Sequence, residues 1–338
     1  MKNILLGVDI GGTKVTAALV SSRGKVVHSV RTRMIPRKTA QEGLKPVFGA
    51  IEAVLDDQRA KSIRAIGVSV PGWIDSIRGV LVGAPNIPCW RNFPLPREIE
   101  RRYGLPVYIA NDANAGALAE TTWGAGSGWA NVFYVTLGTG VGTGIVIRHR
   151  LYTGRTGAAG EGGHATIDFR GPRCGCGKRG CVEMYVSGTA IARRARERIV
   201  QRGGRRSGML ALAGGDIAAV NSETVAAAAR KGDPLARKVL DEAAEHFAIW
   251  LGNMIDLLDP EIIVVGGGVA GLMLRSLGRI RASLKTWASN PRQREIPIVR
   301  ARYGSESAVV GAAALCLASG KLNDRERSGR TERRHLRK

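Results

Sequence analysis

Two short glycine- and threonine-rich turns, each set between apolar runs, constrain this chain more than any other feature. The first is Asp9-Ile10-Gly11-Gly12-Thr13-Lys14, between the runs Ile4–Ile10 and Val15–Val20. The second is Leu137-Gly138-Thr139-Gly140-Val141-Gly142-Thr143-Gly144, between Val132–Leu137 and Gly144–Ile147. Short apolar strands broken by glycine read as antiparallel hairpins. A Gly-Thr turn presents backbone N–H groups and a hydroxyl to an anion, and the missing Cβ lets a phosphate come close. Asp9, at a strand end, is placed to hold a hydrated Mg²⁺. Each segment alone is equally a plain hairpin turn. Their matching placement predicts two related halves that hold a phosphate chain. Neither is the P-loop pattern, which needs Gly-Lys-Ser/Thr opening a helix.

The rest of the chain alternates strands and helices. A third strand, Val26–Arg33, follows the turn Ser21-Ser22-Arg23-Gly24. Helical spacing over Gln41–Arg59 is followed by a strand over Ile63–Val70, then by a strand at Val107–Ala110 and a helix from Ala113 to Thr122. In the second half, Asp233-Pro234 supplies an N-cap and a first-turn proline for a helix over 234–258. A short strand, Glu261–Val265, leads into helices over 271–287 and Ser307–Leu317. Helices that follow strands predict an α/β protein.

Three further segments carry chemistry. Gly266-Gly267-Gly268-Val269-Ala270-Gly271 matches G-x-G-x-x-G formally, but no acid stands about 20 residues on, so a dinucleotide site is rejected and a tight strand-to-helix turn near a nucleotide is kept. His164, Cys174, Cys176 and Cys181 form the most specific set: one imidazole and three thiols, with glycines between them, complete a tetrahedral structural Zn²⁺ shell. Cys89 and Cys316 stand apart and read as core thiols. Finally, Ala110-Asn111-Asp112-Ala113-Asn114 lies at a strand-to-helix junction, where an acid can meet a ligand or simply cap the helix.

Composition excludes several classes. No apolar run approaches the roughly 18 residues of a membrane helix, and Asp9 interrupts any signal peptide, so a cytoplasmic protein is expected. Five cysteines, three of them within eight residues, suit a metal site in a reducing compartment and not a disulfide framework. The net charge of +23 is the abnormal quantity. It concentrates in residues 193–206 (+6), 275–302 (+7) and 321–338 (+5). No aromatic residues are interleaved with the basic tail, so no stacking platform for nucleic acid is written there, and the charge reads as a surface bias.

Taken in order, these motifs resemble those of the ROK family (repressors, open reading frames and sugar kinases) over about residues 4–318. Gly160-Glu161-Gly162-Gly163-His164 and Cys174-x-Cys176-Gly177-x-x-Gly180-Cys181-x-Glu183 match its zinc signature, although a bulkier residue is usual where Gly162 stands and Gly is frequent where Cys89 stands. The resemblance implies a two-domain, ribonuclease-H-like α/β fold with an interdomain cleft. It implies a small domain over 1–122, completed by a helix at about 305–318, and a large domain over 123–304 that carries the zinc loop 164–181. The basic tail, 319–338, falls outside and reads as disordered.

The same resemblance implies ATP-dependent phosphorylation of the 6-hydroxyl of a hexose, with glucose as the expected acceptor. Asp112 would be the general base. Asn86, Asn111 and Asp112 would bind one side of the sugar, and Glu161, His164 and Glu183 would lie near carbons 1 and 2. Asp9, Gly11, Gly12, Thr13, Lys14, Gly138, Thr139, Gly140, Gly266, Gly267 and Gly268 would hold ATP and its Mg²⁺, with Asp9 reaching the ion through water. A homo-oligomer, dimer or tetramer, is also implied. The alternatives are a kinase of another hexose (N-acetylglucosamine, N-acetylmannosamine, mannose, fructose or allose), a polyphosphate-using kinase, and a sugar-responsive repressor. Eight residues before Asp9 leave no space for a repressor's helix-turn-helix in this sequence.

Overall fold

The structure is a computed structural model that describes residues 4–34, 39–75, 78–201 and 207–317. The basic tail 319–338 and part of the arginine-rich stretch 193–206 lie outside the described residues. The chain forms two compact units. The first takes residues up to Ser127, Leu151–Ala159 and the chain from Glu306, and the second takes Gly128–Arg150 and Gly160–Ser305. The first unit therefore runs past the expected boundary at 122. The Glu120 carboxylate accepts the Ala125 N–H at 2.9 Å and its carbonyl accepts that of Gly126, which keeps this segment with the helix before it.

In the first unit, β1 (Ile4–Ile10) and β2 (Lys14–Ser21) form the expected hairpin, with Ile10 opposite Val15, and β3 (Val26–Arg33) extends it. Helix α1 (Ala40–Leu55) buries Leu44, Val47, Ile51 and Val54 at the spacing read from the sequence. It stops short of Arg59 because Asp57 adopts an extended backbone and caps a separate 3₁₀ turn, Gln58–Ser62. Next come β4 (Ile66–Val70), a small antiparallel sheet of β5 (Trp73–Asp75), β6 (Val80–Gly83) and β7 (Arg91–Phe93), helix α2 (Leu95–Tyr103), β8 (Val107–Asn111) and α3 (Asp112–Trp123). The main sheet has the order β3-β2-β1-β4-β8, with β1, β4 and β8 parallel.

The second unit repeats this plan. Strands β9 (Val132–Leu137) and β10 (Val141–Ile147) form its hairpin and β11 (Arg150–Leu151) lies beside it. Helices α4 (Glu183–Val186), α5 (Gly188–Gln201), α6 (Gly208–Leu212), α7 (Ser222–Arg230) and α8 (Pro234–Leu258) precede β12 (Ile262–Gly266). The Asp233 carboxylate caps α8, accepting from Leu235 and Ala236 N–H, as its Asp-Pro start predicts. The expected helix 271–287 is two: α9 (Ala270–Arg275) and α10 (Leu277–Trp287). Ser276 closes the first with a bond to the Met273 carbonyl and opens the second by accepting the Ile280 N–H. Strand β13 (Ile298–Arg300) completes a sheet of order β11-β10-β9-β12-β13, in which β9, β12 and β13 are parallel. Hairpin first, parallel strands after: both halves follow one design.

Helix α11 (307–317) returns to the first unit. It seats directly on the sheet, because a Cβ on Gly67 would overlap the Ala312 carbonyl and one on Gly7 would overlap that of Val309. Each unit has its own apolar core, one around Leu6, Val8, Ile51 and Trp90, the other around Phe133, Phe247, Trp250 and Ile263.

Candidate active site

The first unit gathers polar groups at the carboxyl ends of its parallel strands, where open α/β sheets bind ligands. Asp9 ends β1, Ser69 stands opposite it on β4, and Asn111 ends β8. Ser69 is fully buried and its hydroxyl donates to Asp9 Oδ1 at 3.1 Å. Burial pushes the Asp9 carboxyl up to about 6. The Ser69 hydrogen bond and the charges of Lys14 and Arg31 pull it down, and Asp112 pushes it further up. Sequence reading missed Ser69; the signal was one hydroxyl in the apolar run Ile66–Val70.

Asn111, not Asp112, caps α3. Its backbone is extended (φ −61°, ψ 150°), its side-chain oxygen accepts the Ala113 N–H at 2.9 Å, and its Nδ2 donates to the Gly72 carbonyl at 3.1 Å. The last strand residue already has the geometry an N-cap needs, which leaves Asp112 as the first helical residue. Its Oδ1 accepts the same Ala113 N–H at 2.9 Å. Burial holds the Asp112 carboxyl above its ordinary range, against the Ala113 N–H. The structure brings Asn86 to the first turn: a Cβ on Gly12 would lie 2.6 Å from that of Asn86. Gly11 N–H closes the turn on the Lys14 carbonyl, and the Thr13 and Lys14 side chains are exposed.

In the second unit a pocket of about 900 Å³ opens beside the second hairpin. Gly138, Thr139, Thr189, Asn221 and Gly268 line it, with Arg196, Arg230 and Arg275 from three helices. Thr189 donates to the Thr139 carbonyl at 2.9 Å, and Gly188 N–H to that of Gly138 at 2.8 Å, which pins the turn to the start of α5. Of the six expected nucleotide residues in this unit, three are absent from the lining. Gly140 packs on the Glu183 carboxylate, Gly266 on the Tyr134 hydroxyl, and Gly267 (φ +86°) on the Leu137 carbonyl. These glycines serve close backbone packing, and only Gly268 of its run reaches the pocket. Arg196 and Arg275 belong to stretches read in the sequence as surface charge, and Arg230 was not singled out there; what placed all three here was helix packing.

The four candidate metal ligands converge. His164, Cys174, Cys176 and Cys181 place their ligand atoms within 4.8 Å of one another. His164 Nδ1 lies 3.6 Å from Cys174 Sγ, and Cys176 Sγ lies 3.6 Å from Cys181 Sγ. Donors about 2.0–2.3 Å from a tetrahedral ion are roughly 3.5–3.8 Å apart, so the spacing fits Zn²⁺. The chemistry fits too. Burial, with the hydrogen bonds from Cys176 and Cys174, pushes the Cys181 thiol up to about 12, so this crowd of thiols favours a cation that draws them into thiolates. The loop is shaped by Gly177 and Gly180, both at positive φ, and by the Cys174 N–H bond to the Lys178 carbonyl.

Glu161 is exposed and its carbonyl accepts the His164 N–H at 3.0 Å. Glu183 begins α4, and its Oε2 accepts the Val141 N–H at 2.9 Å. Thr143 and Trp250 are the residues sequence reading missed here. Thr143 Oγ1 donates to the Gly160 carbonyl and accepts the Gly162 N–H, while Trp250 Nε1 donates to the Gly162 carbonyl at 3.0 Å. A Cβ on Gly162 would come within 2.8 Å of Thr143 Oγ1, which accounts for glycine where the family pattern has a bulkier residue.

Comparison with known proteins agrees with this arrangement. The family model described as "ROK family" matches residues 5–319. A glucokinase of Streptomyces coelicolor is 37% identical over 314 residues, spanning 92% of this chain and 97% of that protein. The crystal structure of a ROK family glucokinase from Streptomyces griseus, in complex with glucose and AMPPNP, is similar with a TM-score of 0.79 and 35% identity, covering 92% of this chain and 98% of that one. That of a ROK hexokinase from Thermus thermophilus is similar with a TM-score of 0.77 and 32% identity, covering 94% and 99%. The mixed α/β fold is that of the ROK sugar kinases, and the chain belongs to the ROK family.

Proposed function

We propose that this protein is an ATP-dependent hexokinase that phosphorylates the 6-hydroxyl of glucose. The observation that carries this reading is Asp112. It is a carboxylate just past the carboxyl end of a parallel strand, flanked by protein yet open to solvent and so to a ligand, with Oδ1 held by the Ala113 N–H. The S. griseus relative, which holds glucose and AMPPNP, supports the pairing of donor and acceptor. In the reaction the sugar hydroxyl gives its proton to Asp112 as its oxygen bonds the γ-phosphorus. The bond to the β-phosphate oxygen breaks and ADP leaves.

Within the first unit, Asn86, Asn111 and Asp112 are the residues this reading assigns to sugar hydroxyls; within the second, Glu161, His164 and Glu183 are those that the family motif assigns to the sugar. A carboxylate has about four acceptor sites, so Glu183 can hold a hydroxyl as well as the Val141 N–H. In the second unit Gly138, Thr139 and Gly268 hold the donor in the arginine-lined pocket, and in the first unit the turn Gly11 to Lys14 is read as a phosphate-binding turn. Magnesium, if bound, would neutralise the phosphate charge, and Asp9 is the residue this reading assigns to hold it. Zinc, when bound by His164, Cys174, Cys176 and Cys181, fixes the ring of a sugar ligand. A cytoplasmic location belongs to this reading, supported by ATP as donor and by a cysteine cluster suited to a metal and not to disulfides.

The test is a panel of hexoses and N-acetylhexosamines with ATP, read by ADP release. Glucose is expected to have the highest kcat/KM, and no turnover with any sugar refutes the reading. Arg196, Arg230 and Arg275 favour a second reading for the donor, inorganic polyphosphate, which three guanidinium groups would attract. That activity should fall steeply with added salt; turnover with ATP alone removes it.

A further inference from the structure

The metal loop and the second hairpin are joined at both ends of the ligand set. On the cysteine side, Glu183 follows Cys181 by two residues. Its Oε1 is 3.7 Å from Cys174 Sγ, and its Oε2 accepts the Val141 N–H at 2.9 Å. Val141 directly follows the turn whose Gly138 and Thr139 line the pocket, and Gly140 leaves room for that carboxylate, since a Cβ there would sit 2.5 Å from Oε2. On the histidine side, Thr143 of β10 grips the backbone at Gly160 and Gly162, two residues before His164, and a Cβ on Gly163 would overlap the Val141 carbonyl.

A charge-assisted bond from a carboxylate to a backbone N–H is among the strong ones. Glu183 therefore connects a metal-ligand loop to the backbone that shapes the donor pocket. We propose that Glu183 is a positioning residue that couples the two, so that metal and nucleotide donor each raise the other's affinity through it. This rests on the reading of that pocket as the donor site. Thermodynamic linkage makes the effect reciprocal: one coupling factor must appear in both directions.

The experiment measures AMPPNP binding by calorimetry to the full-length protein, zinc-loaded and chelator-stripped, and zinc affinity by chelator competition with and without AMPPNP. Wild type, Glu183→Ala and Glu183→Gln are compared, with circular dichroism and zinc stoichiometry as checks of folding. In wild type, stripping should weaken AMPPNP on the order of tenfold, and AMPPNP should tighten zinc by the same factor. Glu183→Ala should keep one zinc per chain and lose the coupling. Glu183→Gln, which still offers an acceptor to Val141 N–H, should keep part of it. Equal AMPPNP affinity in loaded and stripped wild type overturns the proposal, as does full coupling in Glu183→Ala. Should Glu183→Ala lose zinc, the wild-type factor and the glutamine variant decide. Loaded wild type that fails to bind AMPPNP overturns the donor-site reading with it; binding without coupling overturns this inference alone.

Discussion

Asp9 ends β1 and Asp112 directly follows β8, parallel strands with β4 between them, and the surrounding protein pushes both carboxyls above the range of a free carboxylate. The consequences differ. A base works only when ionised, so kcat/KM should fall as pH drops through an apparent pKa above the usual carboxylate range. A pH–rate profile flat down to pH 4 would contradict that role. For Asp9 the consequence is stability. Its carboxyl titrates near 6 in the folded chain and at 3.8 in its ordinary state, so the unfolded chain gives up the proton first. Stability therefore declines as pH rises from about 4 to 6, and the full penalty, on the order of 3 kcal/mol, persists at neutral pH. Asp9→Asn, which can still accept from Ser69, should raise Tm at pH 7.5 and lose that advantage below pH 4. A thermal melt with no gain at pH 7.5 would refute the buried-charge argument. Asp9 and Asp112 were legible in the sequence because each ends an apolar run beside glycine or asparagine. Ser69 was not, since which polar atoms meet depends on the register of β1 against β4.

Among the elements, the hairpins and α8 were readable because glycine turns and an Asp-Pro start are local signals. Position Asn111 was misread because capping depends on where the strand ends: with β8 running to residue 111, the extended geometry and the cap fall on asparagine. The break at Ser276 was hidden for the same reason, as one apolar spacing fits one long helix or two short ones. The metal loop was the most legible element, since its ligands are close in sequence. It also carries a clear expectation. His164→Ala should lose zinc, lower Tm and raise KM for the sugar together, measured by metal analysis, thermal melt and steady-state kinetics. Stoichiometric zinc with an unchanged KM would separate His164 from both roles.

At the level of the whole chain, several arginines of the basic stretches are ion-paired, which leaves the net charge of +23 unchanged. Arg194 and Arg198 both meet Glu242, Arg193 meets Glu197, Arg279 meets Asp241 and Arg292 meets Glu295. Such exposed pairs contribute about 0–1 kcal/mol each and mark no partner. Arg196, Arg230 and Arg275 are different, because they line the pocket beside the second hairpin. Positive charge thus acts where an anionic donor would enter, and no helix among the described residues is long and apolar enough to cross a membrane. The doubled sheet plan, only hinted at by two glycine turns, shows why those turns recur: each half presents the same hairpin ahead of its parallel strands. The central claim, that Asp112 is the base of a hexose kinase, is tested most directly by one comparison. Wild type and Asp112→Asn are assayed with glucose and ATP, glucose 6-phosphate is quantified, and folding and zinc content are checked in parallel. The account predicts glucose 6-phosphate from the wild type and a loss of roughly 10²–10⁴-fold in kcat in a folded, zinc-loaded variant. Wild-type turnover in Asp112→Asn would contradict it.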